Sequence, residues 1–407
     1  MATIKPLQAL RPRPDVAAKV ASVPYDVVDR DEAAALAADN PRSFLHVTKP
    51  EIDLPASTDP YADIVYAQGA KALNALVREG VLVQDTKPAI YVYTLTMGDH
   101  AQTGLVFGAS VAEYEKNIVR KHEHTRPDKE NDRVRHIEAT RAQTGKVFLV
   151  HPRSKLVEAE ILQARKRPPH TAFGAPDGVR HELWTIDDPQ SIARLQKAFA
   201  DMGPIYIADG HHRSAAAARV ARAHRENGTA SADTEMFLAV SFPANEVRIM
   251  PYNRVVHDLN GASPEQFMHA VKQAFDVSRG KPAVTAPRQM AMYLGGTWYT
   301  LHVRNRDVPS DPVSKLDVSL LQDKLLAPIL GIHDPRRDKR IEFVGGIRGD
   351  DELVKRVDAL KTPGVAFSLH PTSIEDLFAI ADSEQVMPPK STWFEPKLRD
   401  GLVVHRF

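Results

Sequence analysis

The stretch Tyr206–Glu226, YIADGHHRSAAAARVARAHRE, constrains the fold more than any other part of the sequence. It begins with β-type residues, passes through an Asp-Gly pair, and continues as a run dominated by alanine and arginine. Glycine permits a sharp change of backbone direction, and alanine is the strongest helix former. A helix with such small side chains can also pack closely on a sheet. The stretch therefore predicts a strand, a turn at Gly210 and a helix that packs on a β-sheet.

Extended and helical segments alternate along the rest of the chain. AIYVYTLTM and KVFLVHP are typical of strands, whereas SKLVEAEILQARK and PQSIARLQKAFADM are typical of helices. This interleaving predicts a mixed α/β (α+β) fold, and 407 residues suffice for two or three domains. We expect an N-terminal α/β region at 1–150, a middle region at 151–260 that holds the Asp-Gly turn, and a C-terminal α/β region at 261–407, with one compact unit as the alternative.

Charge and residue content exclude several classes of protein. Lys and Arg number 53 against 52 Asp and Glu, so the formal charge of +1 provides no overall field for nucleic acid. The absence of cysteine excludes disulfides, thiolate metal sites and a cysteine nucleophile. The N-terminal segment lacks the apolar core of a signal peptide, and no window holds 18 continuous apolar residues. We therefore expect a cytoplasmic protein with no membrane partner, and the oligomeric state stays open.

Polar residues at the Asp-Gly turn indicate an anion site. The free N–H groups at a helix start favour an anion, and Gly210 permits close approach of the backbone. Arg213 adds a planar fork suited to phosphate oxygens, while His212 and Ser214 offer further hydrogen bonds. Asp209 is placed either to hold Mg²⁺ or to accept a proton. The competing interpretation is a helix cap at Asp209, a turn glycine and exposed basic residues.

A second candidate is the charged segment RKHEHTRPDKENDR, Arg120 to Arg133. In an extended chain His122 and His124 share one face, whereas Glu123 lies on the other. The spacing is not that of the His-Glu-x-x-His zinc proteases. Three interpretations stay open: a metal site made by the two histidines with an acid from elsewhere, a general base at Glu123 with nearby cations holding phosphate, or a solvated loop before a helix.

The C-terminal segment MPPKSTWFEPK is a third candidate. Lys390 provides a cation suited to phosphate, and Ser391 and Thr392 provide hydroxyls. Trp393 and Phe394 could stack on a base or could pin the segment to the core. The glycines of a Walker A loop are missing.

Near the N-terminus, VPYDVVDRDE places Tyr25 and Asp26 after a proline at the end of an extended segment. Asp26 is a candidate metal ligand or substrate contact. The alternative is a turn followed by a helix that Asp29 caps.

These motifs carry a family resemblance. IADGHHRSAAA resembles the phosphate-binding segment of the ParB/sulfiredoxin superfamily, in which a strand leads to a Gly-x-[His/Arg]-Arg helix start. The whole chain resembles a narrower family, the domain of unknown function numbered one thousand and fifteen. Its pattern runs from VPYDVV through KHEHT, DGHHR, YNRVV and FVGG to MPPKSTWFEPKL. Asn253 in YNRVV departs from the pattern, which commonly has histidine there.

The resemblance implies a ParB/sulfiredoxin-like core with additional α/β elements before and after it. Since the superfamily includes free-serine kinases, it implies Mg²⁺-assisted phosphoryl transfer from ATP or ADP to a small hydroxyl substrate, with free L-serine favoured. The implied catalytic residues are Asp209, Glu123 and His212, and Asp209 is also the implied Mg²⁺ ligand. The residues expected to hold phosphate or nucleotide are Gly210, His211, His212, Arg213, Ser214, Lys390, Ser391 and Thr392. The residues expected to contact substrate are His122, His124, Thr125, Tyr25, Asp26 and Arg254.

Two other functions stay open at this point. A nucleotide-binding ParB-like switch or DNA-associated protein would need a recognition helix and a basic face, and the sequence shows neither convincingly. A metal-dependent hydrolase would use His122, His124 and His211 with aspartates, and it would hold a transition metal tightly. Sulfiredoxin chemistry is excluded, because its motif has a cysteine between glycine and histidine where this chain has His211.

Overall fold

The computed structural model describes residues 1–280 and 284–407. The chain divides into two compact units: unit 1 is Met1–Val247 with Pro396–Phe407, and unit 2 is Arg248–Glu395. This division differs from the three predicted regions, because strands on both sides of residue 150 pair in one sheet. The chain leaves unit 1 after Val247 and returns to it at Pro396. No flexible linker in the sequence marks either boundary, so composition could not predict these boundaries.

Helices and strands alternate throughout the described residues, which confirms the predicted mixed α/β class. The strands are β1 (Ile4–Lys5), β2 (Leu10–Pro12), β3 (Leu82–Gln84), β4 (Ile90–Met97), β5 (His100–Ser110), β6 (Val119–Arg120), β7 (Ala142–Gln143), β8 (Val147–His151), β9 (Thr171–Gly174), β10 (Arg180–Ile186), β11 (Ile205–Asp209), β12 (Met236–Pro243), β13 (Arg248–Met250), β14 (Tyr252–Val256), β15 (Asp276–Arg279), β16 (Gln289–Leu294), β17 (Thr297–His302), β18 (Ile341–Gly345), β19 (Val365–Ser368), β20 (Trp393–Glu395) and β21 (His405–Arg406). The α-helices are α1 (Ala17–Val20), α2 (Arg30–Ala37), α3 (Leu45–Thr48), α4 (Asp63–Arg78), α5 (Val111–Glu115), α6 (Pro127–Thr140), α7 (Lys155–Arg165), α8 (Pro189–Asp201), α9 (His211–Glu226), α10 (Pro264–Ala274), α11 (Asp317–Leu321), α12 (Gly349–Asp358) and α13 (Ile374–Asp382).

Unit 1 is built on a nine-stranded mixed sheet in the order β6-β11-β8-β12-β5-β4-β10-β9, with β1 paired to β5. β11 runs parallel to β6 and antiparallel to β8. α9 packs on β8 and β12, and Ala217 and Ala221 join the core with Leu149 and Ile207. The predicted strand, turn and small-residue helix are thus confirmed, and the small side chains allow the close packing.

Sequence signals also fix two helix starts in unit 1. Pro127 occupies the first turn of α6, where its missing N–H costs no hydrogen bond. Asp29 caps α2, accepting from the Glu32 amide at 2.9 Å while the Glu32 carboxylate accepts from the Asp29 amide. Both starts lie close to segments that contribute to the candidate site described below.

Unit 2 is built on a six-stranded antiparallel sheet in the order β15-β17-β16-β19-β14-β18. β14 lies between β18 and β19, and its Val255 packs in a core with Tyr293, Leu353 and Ala366. β13 and β20 form a separate two-stranded ribbon. Across the described part of both units, every helix is too short or too polar to cross a membrane.

Candidate functional site

The junction between β11 and α9 is the centre of the candidate site in unit 1. β11 ends at Asp209 with a bulge between Ile207 and Asp209, and Gly210 follows with φ 92°. The Gly210 amide donates to Asp209 Oδ1 at 2.8 Å, and the Gly210 carbonyl accepts from the Arg213 and Ser214 amides. The His211 and His212 N–H groups precede these first helical bonds, so they form the positive end of the α9 dipole.

Three side chains from two adjacent elements meet at this junction. β6 and β11 are parallel neighbours, so the chain leaves both strands at the same edge and brings His122 to His211. The two imidazole rings lie perpendicular with centroids 4.6 Å apart, and Glu123 Oε2 lies 3.7 Å from His211 Nδ1. One ligand atom from each of the three residues lies within 4.8 Å of the others, which is a spacing that a metal ion could draw together.

Both buried histidines are neutral at physiological pH. Burial lowers the pKa of His122 to about 4 and, with the neighbouring His122, lowers the pKa of His211 well below its ordinary value. Within the described chain, His122 Nδ1 and His211 Nε2 are buried without a hydrogen-bond partner. Neutral imidazole nitrogens in this state are able to bind a metal ion or to donate to a ligand. At 3.7 Å, the contact between His211 and Glu123 is too long for a hydrogen bond.

Asp209 is ionised at the end of β11. Burial opposes its charge, but Lys397, Arg213 and the Gly210 N–H outweigh burial and hold the pKa of Asp209 below its ordinary value. The carboxylate is therefore in the state that could coordinate a cation or accept a proton.

Arg213 differs from its predicted orientation. It is 7% exposed, its Nη1 donates to the Lys146 carbonyl at 3.0 Å, and its Nη2 donates to both Asp26 oxygens at 2.9 Å. The centre of the Tyr25 ring lies 5.5 Å from the guanidinium carbon of Arg213 and 3.9 Å from that of Arg133. The guanidinium of Arg213 thus holds the VPYDVV segment in place. Its Nη1 and Nη2 groups donate to Lys146 and Asp26, and they are not directed at a phosphate at the start of α9.

Ser214 also differs from its predicted role. Its side chain is fully buried, and its hydroxyl donates to the His211 carbonyl at 3.0 Å. The position lies on the sheet-facing side of α9, so this hydroxyl is part of the helix packing and is not directed at a ligand.

The other predicted residues of this region lie around the junction. His212 is half-buried, its Nε2 accepts from the Arg126 amide at 3.0 Å, and burial lowers its pKa. Thr125 donates to Glu130 at 2.8 Å, whereas His124 is exposed. Of the KHEHT segment, His122 and Glu123 therefore reach the junction, and His124 does not join His122 in a metal site because it points to solvent.

Sequence reasoning missed Lys146 and Asp400, which lie beside Arg213 in the interior. Lys146 is 1% exposed and donates to the Arg399 carbonyl at 2.6 Å. Burial lowers the pKa of Lys146 to about 8 and raises that of Asp400 to about 6. A cavity of about 30 Å³, the size of a single water site, is lined by Arg213, Asp400 and neighbours. A lysine opening the apolar run KVFLV was the available signal for Lys146.

The remaining predicted residues belong to unit 2. Arg254 lies in β14, and its Nη2 donates to the Lys390 carbonyl at 3.1 Å. The Ser391 hydroxyl donates to the Pro388 carbonyl at 2.6 Å, so this hydroxyl holds the turn of its own segment. Thr392 follows as a half-buried residue before β20. Their predicted roles in nucleotide or substrate binding stay predictions.

The solved structures that the chain resembles at low identity include the following. SbnI with a C-terminal truncation from Staphylococcus aureus is 11% identical, covers 73% of this chain and 86% of its own, and has a TM-score of 0.39. The free serine kinase in complex with AMP is 9% identical over 72% and 86%, with a TM-score of 0.34. A conserved hypothetical protein from Pyrococcus furiosus is 11% identical over 73% and 93%, with a TM-score of 0.34. Likeness at this level does not establish a shared activity.

No curated protein matches the chain significantly. The family model described as "Protein of unknown function (DUF1015)" matches residues 4–319, which is more than half of the sequence. The chain therefore belongs to the DUF1015 family, as its end-to-end motif pattern predicted.

Proposed function

We propose that the protein is a small-molecule kinase that transfers phosphate from ATP or ADP to a hydroxyl substrate, with free L-serine the favoured acceptor. The observation that supports this most is the start of α9 beside two carboxylates. Gly210, the helix dipole and the amides of His211 and His212 form an anion site, and Glu123 and Asp209 flank it.

The histidines suit the phosphate side of such a site. Because His212 Nε2 accepts from the Arg126 amide, its neutral form carries the proton on Nδ1, which is then free to donate to a phosphate oxygen. His211 is neutral too, so neither ring adds a full charge. Positioning of the phosphates would come from backbone N–H groups and neutral donors, as is common at helix starts.

The carboxylates suit the acceptor side. In the proposed reaction the substrate hydroxyl oxygen forms a bond to the terminal phosphorus, and the bond from phosphorus to the leaving nucleotide oxygen breaks. The hydroxyl proton passes to Glu123 or Asp209. Glu123 has 39% of its side chain exposed, so it is open to a substrate. Asp209 is an ionised oxygen donor of the type that Mg²⁺ binds, and Mg²⁺ bound with the nucleotide would neutralise phosphate charge.

One observation favours a second candidate, a metal-dependent hydrolase. His122 Nδ1 and His211 Nε2 are both buried without a partner in the described residues, and Glu123 lies next to them. Two imidazoles and one carboxylate suit zinc or a similar transition metal better than Mg²⁺. Such a metal supplies an activated water at neutral pH. Here His124 takes no part, so the site differs from the one predicted from the sequence.

Phosphorus NMR tests the kinase proposal. The full chain is incubated with Mg²⁺, ATP or ADP, and a panel of small hydroxyl compounds that includes L-serine. We expect a new phosphomonoester resonance with one donor and one acceptor. Glu123→Gln or Asp209→Asn should slow its appearance about 100-fold or more, as loss of a general base does. Glu226→Gln, an exposed position at the other end of α9, is the matched control and should leave the rate unchanged.

The outcomes separate the candidates. No product across the panel, together with no nucleotide binding by calorimetry, would contradict the kinase proposal. Nucleotide binding without any product would favour a nucleotide-responsive switch. Tight zinc binding that His122→Ala and His211→Ala each abolish, with hydrolysis that does not need added Mg²⁺, would favour the hydrolase.

A further inference from the structure

Arg254 is a buried cation in unit 2. It lies on β14, between β18 and β19, and only 3% of the residue is exposed. Its Nη1 donates to the Tyr252 carbonyl and its Nη2 to the Lys390 carbonyl, while the Phe343 ring lies 5.2 Å from its guanidinium carbon. Carbonyl oxygens and an aromatic face stabilise a cation only in part, because neither carries a full negative charge.

Across residues 1–280 and 284–407, no carboxylate lies within ion-pair distance of this guanidinium. Burial lowers the pKa of Arg254 to about 10, and the neighbouring Tyr252 opposes this effect in part. A charge removed from water without a counter-ion is costly. Such a residue is expected where the missing anion arrives with a ligand.

Arg254 lines a cavity of about 370 Å³ that lies wholly within unit 2. This volume is in the range of sites for small organic ligands. Much of the lining is apolar and comes from Val318, Leu326, Phe343, Pro388 and Pro389. The cavity therefore combines one buried cation with an apolar wall, which suits an anion attached to an apolar body.

Polar side chains lie at the exposed rim of the cavity. His333 and Arg336 line it and are exposed. Asp334 also lines it, but its carboxylate accepts from the Arg336 amide at 3.1 Å and from Arg336 Nε at 3.0 Å. Arg337 Nε lies 3.9 Å from the same carboxylate. Asp334 is thus occupied by its own loop and does not neutralise Arg254.

We propose that this cavity in unit 2 binds a small organic anion, whose carboxylate or phosphate pairs with Arg254 and whose apolar body packs against Phe343 and the proline pair. The planar guanidinium fork matches both head groups. The residues that line this site all belong to unit 2, and the proposal does not depend on the proposed kinase activity.

Calorimetric titration of the full chain tests the proposal with three probes of one shape: benzoate, phenyl phosphate and the neutral benzamide. We expect saturable binding of benzoate or phenyl phosphate, at least tenfold tighter than benzamide, and the tighter of the two identifies the head group. Arg254→Met should weaken it at least tenfold. Arg304→Met is the matched control, because Arg304 pairs with Asp276 and lies outside the cavity.

A second variant protects the test if Arg254→Met does not fold. His333→Trp changes an exposed residue at the mouth and should block entry without disturbing the core. Benzamide binding as tight as that of the better anion would overturn the proposal, as would no saturable binding of either anion. A third outcome is that phenyl phosphate binds, benzoate does not, and neither variant changes the affinity for phenyl phosphate. Phenyl phosphate would then bind at another site, and the proposal would be overturned.

Discussion

Arg213 in unit 1 and Arg254 in unit 2 are both buried arginines of candidate site motifs, DGHHR and YNRVV. Their partners differ in charge. Arg213 contacts both oxygens of Asp26 at 2.9 Å, whereas the contacts of Arg254 among the described residues are carbonyl oxygens and an aromatic ring. Burial opposes the charge of each. Around Arg213 the acids Asp26, Asp209 and Asp400 overcome it and raise the pKa, while around Arg254 burial prevails and the pKa falls.

This difference in partners indicates a structural role for Arg213 and a ligand-binding role for Arg254. A buried cation that is already paired organises the protein around it, since its hydrogen-bonding capacity is used internally. A buried cation beside a cavity and without an acid retains an unmet attraction for an anion. By this reasoning Arg213 stabilises the elements behind the α9 site, and Arg254 is the better candidate for direct contact with a ligand.

The largest expected effect is that of Arg213→Met. It leaves Asp26 without its partner and should lower the free energy of unfolding by about 3 kcal/mol, the low end for a buried pair, because 38% of the Asp26 side chain is exposed. Urea unfolding measures this loss. Arg219→Met, on the solvent side of the same helix, is the control and should cost under about 1 kcal/mol. Equal losses of unfolding free energy for the two substitutions would contradict a structural role for Arg213.

The second prediction concerns Asp400, which lies beside Arg213 and should make the free energy of unfolding depend on pH. Burial raises its pKa from 3.8 to about 6 in the folded state, so between these values the folded protein binds more protons than the unfolded chain. Stability should therefore fall as pH rises from about 4 to 6, by up to about 3 kcal/mol from this group. Asp400→Asn should remove that decline. Arg399 lowers the pKa of Asp177 despite burial, so the contribution of Asp177 to stability changes only below about pH 4. Asp177→Asn is therefore the control and should leave the decline between about pH 4 and 6 in place.

A substitution at Gly210 tests how tightly the residues around Arg213 are packed. Its φ of 92° is unfavourable for alanine, and an added Cβ would lie 3.3 Å from both Val147 Cα and Arg213 Nη1. We expect Gly210→Ala to cost about 2 kcal/mol. Gly228→Ala, at φ 67° with open space around it, should cost about 1 kcal/mol. Thermal unfolding of the pair measures the difference, and a smaller loss at position 210 would contradict the packing described.

The smallest expected effect is that of Arg254→Met on stability. The substitution removes an uncompensated charge along with two hydrogen bonds to carbonyls, and these terms oppose each other. We expect the free energy of unfolding to stay within about 1 kcal/mol of the wild-type value. A loss as large as that of Arg213→Met would show that the two arginines play the same structural part.

Local signals in the sequence were sufficient for the elements near the site. The Asp-Gly turn, the small-residue helix α9 and the Asp29 cap each depend on residues within a few positions of one another. Such short-range rules act on backbone geometry alone, which explains why they were confirmed.

Long-range partners could not be predicted in the same way. Arg213 lies in a helix start typical of phosphate sites, but its direction is set by Asp26, 187 positions away. Lys146 bonds to Arg399 across 253 positions. Nothing near these residues in the sequence specifies such contacts. KHEHT and DGHHR meet through His122, Glu123 and His211, and no local pattern in the sequence predicts that meeting.

The central claim is that the start of α9 holds the phosphates of a nucleotide beside Glu123. A crystal structure of the full chain with Mg²⁺ and ADP tests it most directly. We expect phosphate oxygens within hydrogen-bond distance of the His211 and His212 amides, with the Glu123 carboxylate facing the terminal phosphate. Phosphates bound elsewhere on the chain, with the start of α9 free of ligand, would contradict it.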